Sequence, residues 1–183
     1  ACEDNGTLLL IDEAYHPFYC WSAVPLTKTS KNIIVARTFA KAWGAAGLRV
    51  GYAVAHPDTI LYLHKIRPMY EVSSFAVEFV AKALSHVTEM EASVKRIMDG
   101  KAFFVESLRA VGFSVIDTHA NFVHVDFANY SQVVHHALLG KVLYRLSFDH
   151  LCLSGFSRFT MAPRSVMEKV FSIIEQSISG NKK

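Results

Sequence analysis

The sequence predicts an α/β unit followed by a smaller α+β unit, and three observations carry that prediction. Residues 8–11 (LLLI) and 32–37 (NIIVAR) are short, nearly continuous apolar runs, the texture of strands buried in a parallel sheet. Residues 74–111 instead place apolar side chains at helical spacing: Phe75, Phe79, Val80, Ala83, Leu84 and Val87, then Val94, Ile97, Met98, Phe104, Val105 and Leu108. Past Gly112 the texture changes to strict alternation, with Phe122, His124 and Asp126 set against Val123, Val125 and Phe127.

Taken in order, a polar ACEDNG leads into the first strand. A strand apolar on both faces needs parallel neighbours and covering helices, and little chain precedes this one to supply them. Residues 16–31 read as a loop, because Pro17 and Pro25 break any helix there. Residues 32–37 form the second strand and 38–41 its exit, and residues 50–55 form a third strand. Ile60, Leu61, Leu63, His64 and Ile66 then allow a helix that stops before Pro68. In the long helical stretch Gly100 predicts a bend or break, and Gly112 a C-terminal stop. Short strands are expected over 113–116, 121–127, 142–146 and 158–161, with a helix over 130–139. Pro163 leads a last amphipathic helix carrying Val166, Val170, Phe171, Ile173 and Ile174. The domain division is expected near residue 100, giving domains 1–100 and 101–183.

Composition narrows the function classes. The 183 residues are 51% hydrophobic with a net charge of +3, enough for a real core and with no charge run that asks for nucleic acid. No apolar run reaches membrane-span length and no signal-peptide pattern opens the chain, so no membrane partner is expected. Cys2, Cys20 and Cys152 are far apart, odd in number and without metal-ligand spacing, which reads as reduced thiols in the cytoplasm. His135 and His136 are adjacent and would diverge on a helix, so no metal site is expected. Lys182 and Lys183 read as a solvated tail.

The chemistry gathers in TFAKAWGAAGLRVGY, residues 38–52. Lys41 stands among Ala40, Ala42 and Trp43, where partial desolvation would lower an amine's pKa and make it a nucleophile toward a carbonyl. Arg49 follows among glycines that let backbone approach closely, which suits a phosphate. An aldehyde that also carries a phosphate is pyridoxal phosphate. The competing reading is a surface lysine and a solvated arginine. The first strand also delivers Asp12-Glu13-Ala14-Tyr15 at its carboxyl end, where ligands sit in open α/β sheets. An apolar strand ending in Asp-Glu imitates a nucleotide hydrolase as well, with Asp12 on magnesium and Glu13 activating water; that reading leaves Lys41 and Arg49 without a role.

LLLIDEAYH and TFAKAWGAAGLRVGY together resemble fold-type I pyridoxal-phosphate enzymes, above all the histidinol-phosphate aminotransferase family. The resemblance runs on through RPMYEVSS, ANFVHVDF and LSGFSRFTMAP, in the family's order and over nearly the whole chain. It implies the second half of a fold-type I large domain plus a small α+β C-terminal domain, with the family's long front half absent. It also implies a cytoplasmic homodimer acting on small-molecule amino and keto acids in amino-acid biosynthesis, with pyridoxal phosphate as cofactor.

By that resemblance Lys41 matches the Schiff-base lysine that also moves the substrate α-proton. Asp12 matches the partner of the pyridine nitrogen, and Tyr15 that of the ring's phenolic oxygen. Thr38 and Arg49 match phosphate ligands. Arg158 matches the arginine that grips the substrate carboxylate, and Arg145 one that helps hold an anionic tail. Two departures stand out. Ala40 replaces the usual serine, removing a neutral hydrogen bond worth on the order of 1 kcal/mol. RPMYEV replaces the usual alanine-proline-tyrosine turn, which implies a divergent substrate. The implied reaction is amino transfer between an amino acid such as glutamate and a keto or phosphorylated partner. A threonine-phosphate-type decarboxylase on the same scaffold and a non-catalytic truncated module are the alternatives. Residues 1–183 by themselves are expected to bind cofactor weakly and to associate through exposed apolar strands.

Overall fold

The computed structural model describes residues 2–180, so the Lys182–Lys183 tail lies outside the described residues. The chain forms two compact units, Ala1–Glu91 and Ala92–Lys183. In the first, β1 (Leu9–Asp12), β2 (Ile33–Thr38) and β3 (Gly51–Ala55) form a sheet in that order. β1 runs parallel to β2 with Asp12 opposite Ala36, and β3 returns antiparallel with Tyr52 opposite Arg37. Between β1 and β2 lie two 3-10 turns, His16–Phe18 and Val24–Lys28, each with a proline at its second position. Helix α1 (Pro57–Ile66) starts where His56 Nδ1 accepts the Asp58 amide at 3.3 Å and proline occupies the first position. Helix α2 (Ser74–Ala83) is capped by Ser73, whose hydroxyl accepts the Ala76 amide.

The expectation of a buried first strand is half right. β1 is parallel, but Leu8 is 62% and Leu10 65% exposed, so its apolar run faces outward in this chain. Only the central strand has an enclosed residue, Val35. Burial of such a strand depends on layers over both faces, and the described residues do not provide them.

Helix α3 (Val87–Ala110) runs unbroken through Gly100, against the bend expected there. The interruption comes earlier, at the 3-10 turn Leu84–His86. Gly100 serves close approach instead: a Cβ there would lie 2.1 Å from the carbonyl oxygen of Ala162. Gly112, at φ 92°, does end the helix, with the Phe113 amide donating back to the Leu108 carbonyl at 3.0 Å.

In the second unit β4 (Ser114–Asp117), β5 (Phe122–Asp126) and β6 (Phe156–Thr160) make an antiparallel sheet. The strand expected over 142–146 is absent; one antiparallel bridge, Arg145 to Arg158, is all that forms there. Helices α4 (Ser131–Leu138) and α5 (Arg164–Ser179) complete the unit. Its core is enclosed, with Phe104, Leu108, Val123, Val125, Phe127, Val134, Leu138 and Ile174 at 0% exposure. Phe159 stacks on Tyr144 at 4.6 Å and meets Phe127 edge-on at 5.9 Å. Lys101, 3% exposed, turns its ammonium onto the carbonyls of Thr118 and Ala120 and onto Asp117, which fixes the turn that starts β5.

Candidate active site

The parallel pair β1–β2 puts its carboxyl ends side by side, and these ends carry the sequence-predicted residues of the first unit. Asp12 is exposed at the end of β1, one carboxylate oxygen accepting the Ala14 amide at 2.9 Å. That local bond turns the chain so that Tyr15 follows immediately. β2 ends at Thr38, whose hydroxyl donates to the Val50 carbonyl at 3.2 Å and accepts the Ala40 amide at 3.0 Å. The loop is tied again by Phe39 N–H to Val50 O at 3.1 Å and Ala45 N–H to Phe39 O at 3.0 Å. Phe39 is buried against Trp43 and Tyr52, so the loop's aromatic and small residues pack beneath it rather than around Lys41.

Lys41 is accordingly exposed, which corrects the expected desolvation. Its Nζ lies 5.3 Å from the centroid of the Tyr15 ring. This brings the lysine at the exit of β2 to the aromatic residue just beyond β1. Arg49 is exposed with a left-handed backbone at φ 56°, and its guanidinium folds back on the Ala46 carbonyl at 3.2 Å.

Behind these residues lies a network that sequence reasoning missed. Glu13, 7% exposed, accepts hydrogen bonds from Ser22 Oγ at 2.9 Å, Ala23 N–H at 2.6 Å, and Arg37 through Nε at 3.1 Å and Nη2 at 2.9 Å. Burial alone would raise the Glu13 carboxyl, but these donors outweigh it and hold it below the usual carboxylate value. Arg37 also donates to Ser22 Oγ at 2.8 Å, and Tyr52 stands opposite it in the β2–β3 register, so the network lies immediately before Asp12's turn and Thr38. The signal was present: Arg37 is two residues beyond enclosed Val35, so it falls on the inward face, where an arginine needs a carboxylate. A carboxylate so fully engaged is no free base for water, which removes the hydrolase role considered for Glu13.

In the second unit, Arg145 and Arg158 face each other across their bridge, paired by amide-to-carbonyl bonds of 3.0 and 2.8 Å. Each guanidinium lies over a phenyl ring, Arg145 over Phe148 at 4.3 Å and Arg158 over Phe122 at 5.3 Å. Among the described residues neither has a carboxylate partner.

The chain is similar to several known proteins. A histidinol-phosphate aminotransferase of Syntrophotalea carbinolica is 31% identical over 168 residues, covering 91% of this chain and 48% of the relative. An aromatic amino acid aminotransferase of Mycobacterium marinum is 40% identical over 120 residues, 63% of this chain and 33% of the relative. Among solved structures, a histidinol-phosphate aminotransferase of Sinorhizobium meliloti in complex with pyridoxal-5'-phosphate matches at TM-score 0.80 and 25% identity. That match covers 95% of this chain and 49% of the other. The Clostridium acetobutylicum histidinol-phosphate aminotransferase matches in fold at TM-score 0.84. The chain thus spans about half the length, 48%, of the first of these curated relatives. The family model for class I and II aminotransferases matches residues 1–174, and the chain belongs to that family.

Proposed function

We propose that the protein is a pyridoxal-phosphate-dependent aminotransferase of the histidinol-phosphate type. It moves an amino group between an amino acid such as glutamate and a keto or phosphorylated partner. The observation that carries this reading is Lys41 Nζ beside the Tyr15 ring at the carboxyl ends of β1 and β2, with Asp12 at the same edge. The donor set suits the cofactor: an exposed amine, a carboxylate outside any ion pair among the described residues, a phenol, a hydroxyl and an arginine. The relatives' named activity supports the same conclusion.

Lys41 would hold the cofactor through its amine, Asp12 would pair with the pyridine nitrogen, and Tyr15 would meet the ring's phenolic oxygen. Thr38 and Arg49 would take the phosphate, without the serine hydroxyl that Ala40 lacks. When bound, pyridoxal phosphate supplies the electron sink for α-proton removal. The chain's own residues do the rest. Lys41 Nζ takes and returns the proton at the substrate's α-carbon, and the Asp12 carboxylate keeps a proton on the ring nitrogen. Arg158 orients the substrate carboxylate, and Arg145 takes an anionic tail. In this reading residues 1–100 belong to a cofactor-binding large domain and 101–183 to a small domain. Assembly as a cytoplasmic homodimer belongs to the same proposal; among the described residues no helix is long and apolar enough to cross a membrane.

The test is mass spectrometry after incubation with pyridoxal phosphate and borohydride. The pyridoxyl adduct is expected on Lys41 and absent from Lys41→Ala. An adduct confined to Lys28 or Lys65 refutes the assignment. In the active protein, Asp12→Asn should retain cofactor and lose at least about a hundredfold in turnover, because an unprotonated ring is a poor sink.

A further inference from the structure

Cross-strand partners share a face of a sheet, so the pairings Arg145–Arg158, Arg158–His124 and His124–Ile116 set four side chains in one transverse row. Two arginines directly opposite each other repel, and no carboxylate among the described residues relieves them. Aromatic rings do the holding instead. Phe122 and Phe148 carry the two guanidiniums, and the His124 ring touches both, at 5.4 Å and 5.2 Å.

His124 is unusual within this row. Its Nδ1 is buried without a hydrogen-bond partner. An N–H at that nitrogen would give up water for nothing, so the favoured form is the neutral ring with its proton on Nε2. Burial first, and then the Arg158 charge, hold the imidazole below its ordinary pKa, in keeping with a neutral ring. The other groups facing it are apolar Ile116 from β4 and, two residues along its own strand, Asp126, whose Oδ1 is engaged by the Ala128 amide at 2.8 Å.

We propose that His124 is a further substrate-binding residue: its neutral Nε2–H donates a third hydrogen bond, from the neighbouring strand, to the anion that Arg158 grips. The inference rests on the reading of Arg158 as the carboxylate arginine. It adds an uncharged donor that tightens the hold on a carboxylate without placing a third cation beside two arginines.

The experiment titrates the chain with glutarate, followed in the nitrogen spectrum of histidine-labelled protein at neutral pH. His124 should show a protonated Nε2 and a bare Nδ1, and the Nε2 signal should move as glutarate binds. His124→Gln, whose amide nitrogen can stand where Nε2 stood, should bind within about twofold of the native chain. His124→Leu should bind about ten- to hundredfold more weakly, the worth of one hydrogen bond to a charged group. Native-strength binding by His124→Leu overturns the proposal, as does a proton on Nδ1 in the native chain, a readout that does not depend on any variant folding. Arg158→Gln separates the two levels. If it binds glutarate at native strength, the reading of Arg158 falls and this inference with it. If it loses binding while His124→Leu does not, only the inference falls.

Discussion

The two units are built on opposite principles. The second closes a hydrophobic core between one sheet and helices, and fifteen buried apolar residues from Phe104 to Ile178 form a single cluster. The first has few enclosed apolar residues and leaves Leu8, Leu10, Leu61, Ile66 and Phe75 exposed. Its sheet is tied instead by a buried ion pair, Glu13–Arg37, with Ser22, Ala23 and Tyr52 around it. The hydrophobic driving force is non-directional and follows the area buried, whereas an ion pair holds named atoms at set distances. The unit with the candidate cofactor residues uses the directional device, immediately next to Asp12 and Thr38.

That contrast can be broken at several points. The largest effect is expected from Phe127→Ala, which empties a fully enclosed site touching Phe113 and Phe159 and should cost the second unit about 3–5 kcal/mol in denaturant unfolding. A loss under 1 kcal/mol would mean that this core is not the source of that unit's stability. Arg37→Met should cost the first unit about 3 kcal/mol by stranding the Glu13 carboxylate. The same pair sets a pH dependence. Glu13 titrates below its ordinary value when folded, so its contribution is complete above the unfolded-state carboxylate pKa and fades as pH falls through the lower folded one. Hydrogen exchange should therefore show β1–β3 opening in acid before β4–β6, and Arg37→Met should erase that difference. Equal acid sensitivity of both sheets in the native chain would contradict the comparison.

Smaller effects sharpen it. Gly100→Ala should destabilise the second unit by about 1–3 kcal/mol, because the new methyl meets backbone at Ala162 rather than a side chain that could move. Leu10→Ser should change the melting temperature hardly at all while reducing self-association on a sizing column, since that leucine is already exposed. A marked drop in melting temperature would show that β1 is covered after all.

Several elements were legible from residue pattern alone. The end of β1 at Asp12, the exit of β2 at Thr38, the proline-led start of α5 and the glycine stop at Gly112 depend on neighbours in sequence. A strand's apolar run, a fixed proline φ and a positive glycine φ are local constraints, so sequence states them directly. The loop bearing Lys41, and its spacing from Arg49, belong to the same class. Other features were decided only when distant segments met. Whether Leu10 is buried depends on what lies over the sheet, and whether 142–146 forms a strand depends on how much of it pairs with β6. Gly100 reads as a helix breaker until the 162–164 backbone is seen to pass beside it. Arg37 and Glu13 lie twenty-four positions apart, and no local period joins them. The row of Arg145, Arg158 and His124 likewise exists only through strand register. Propensity acts over a few residues, while register, covering layers and paired charges are set by contacts far along the chain.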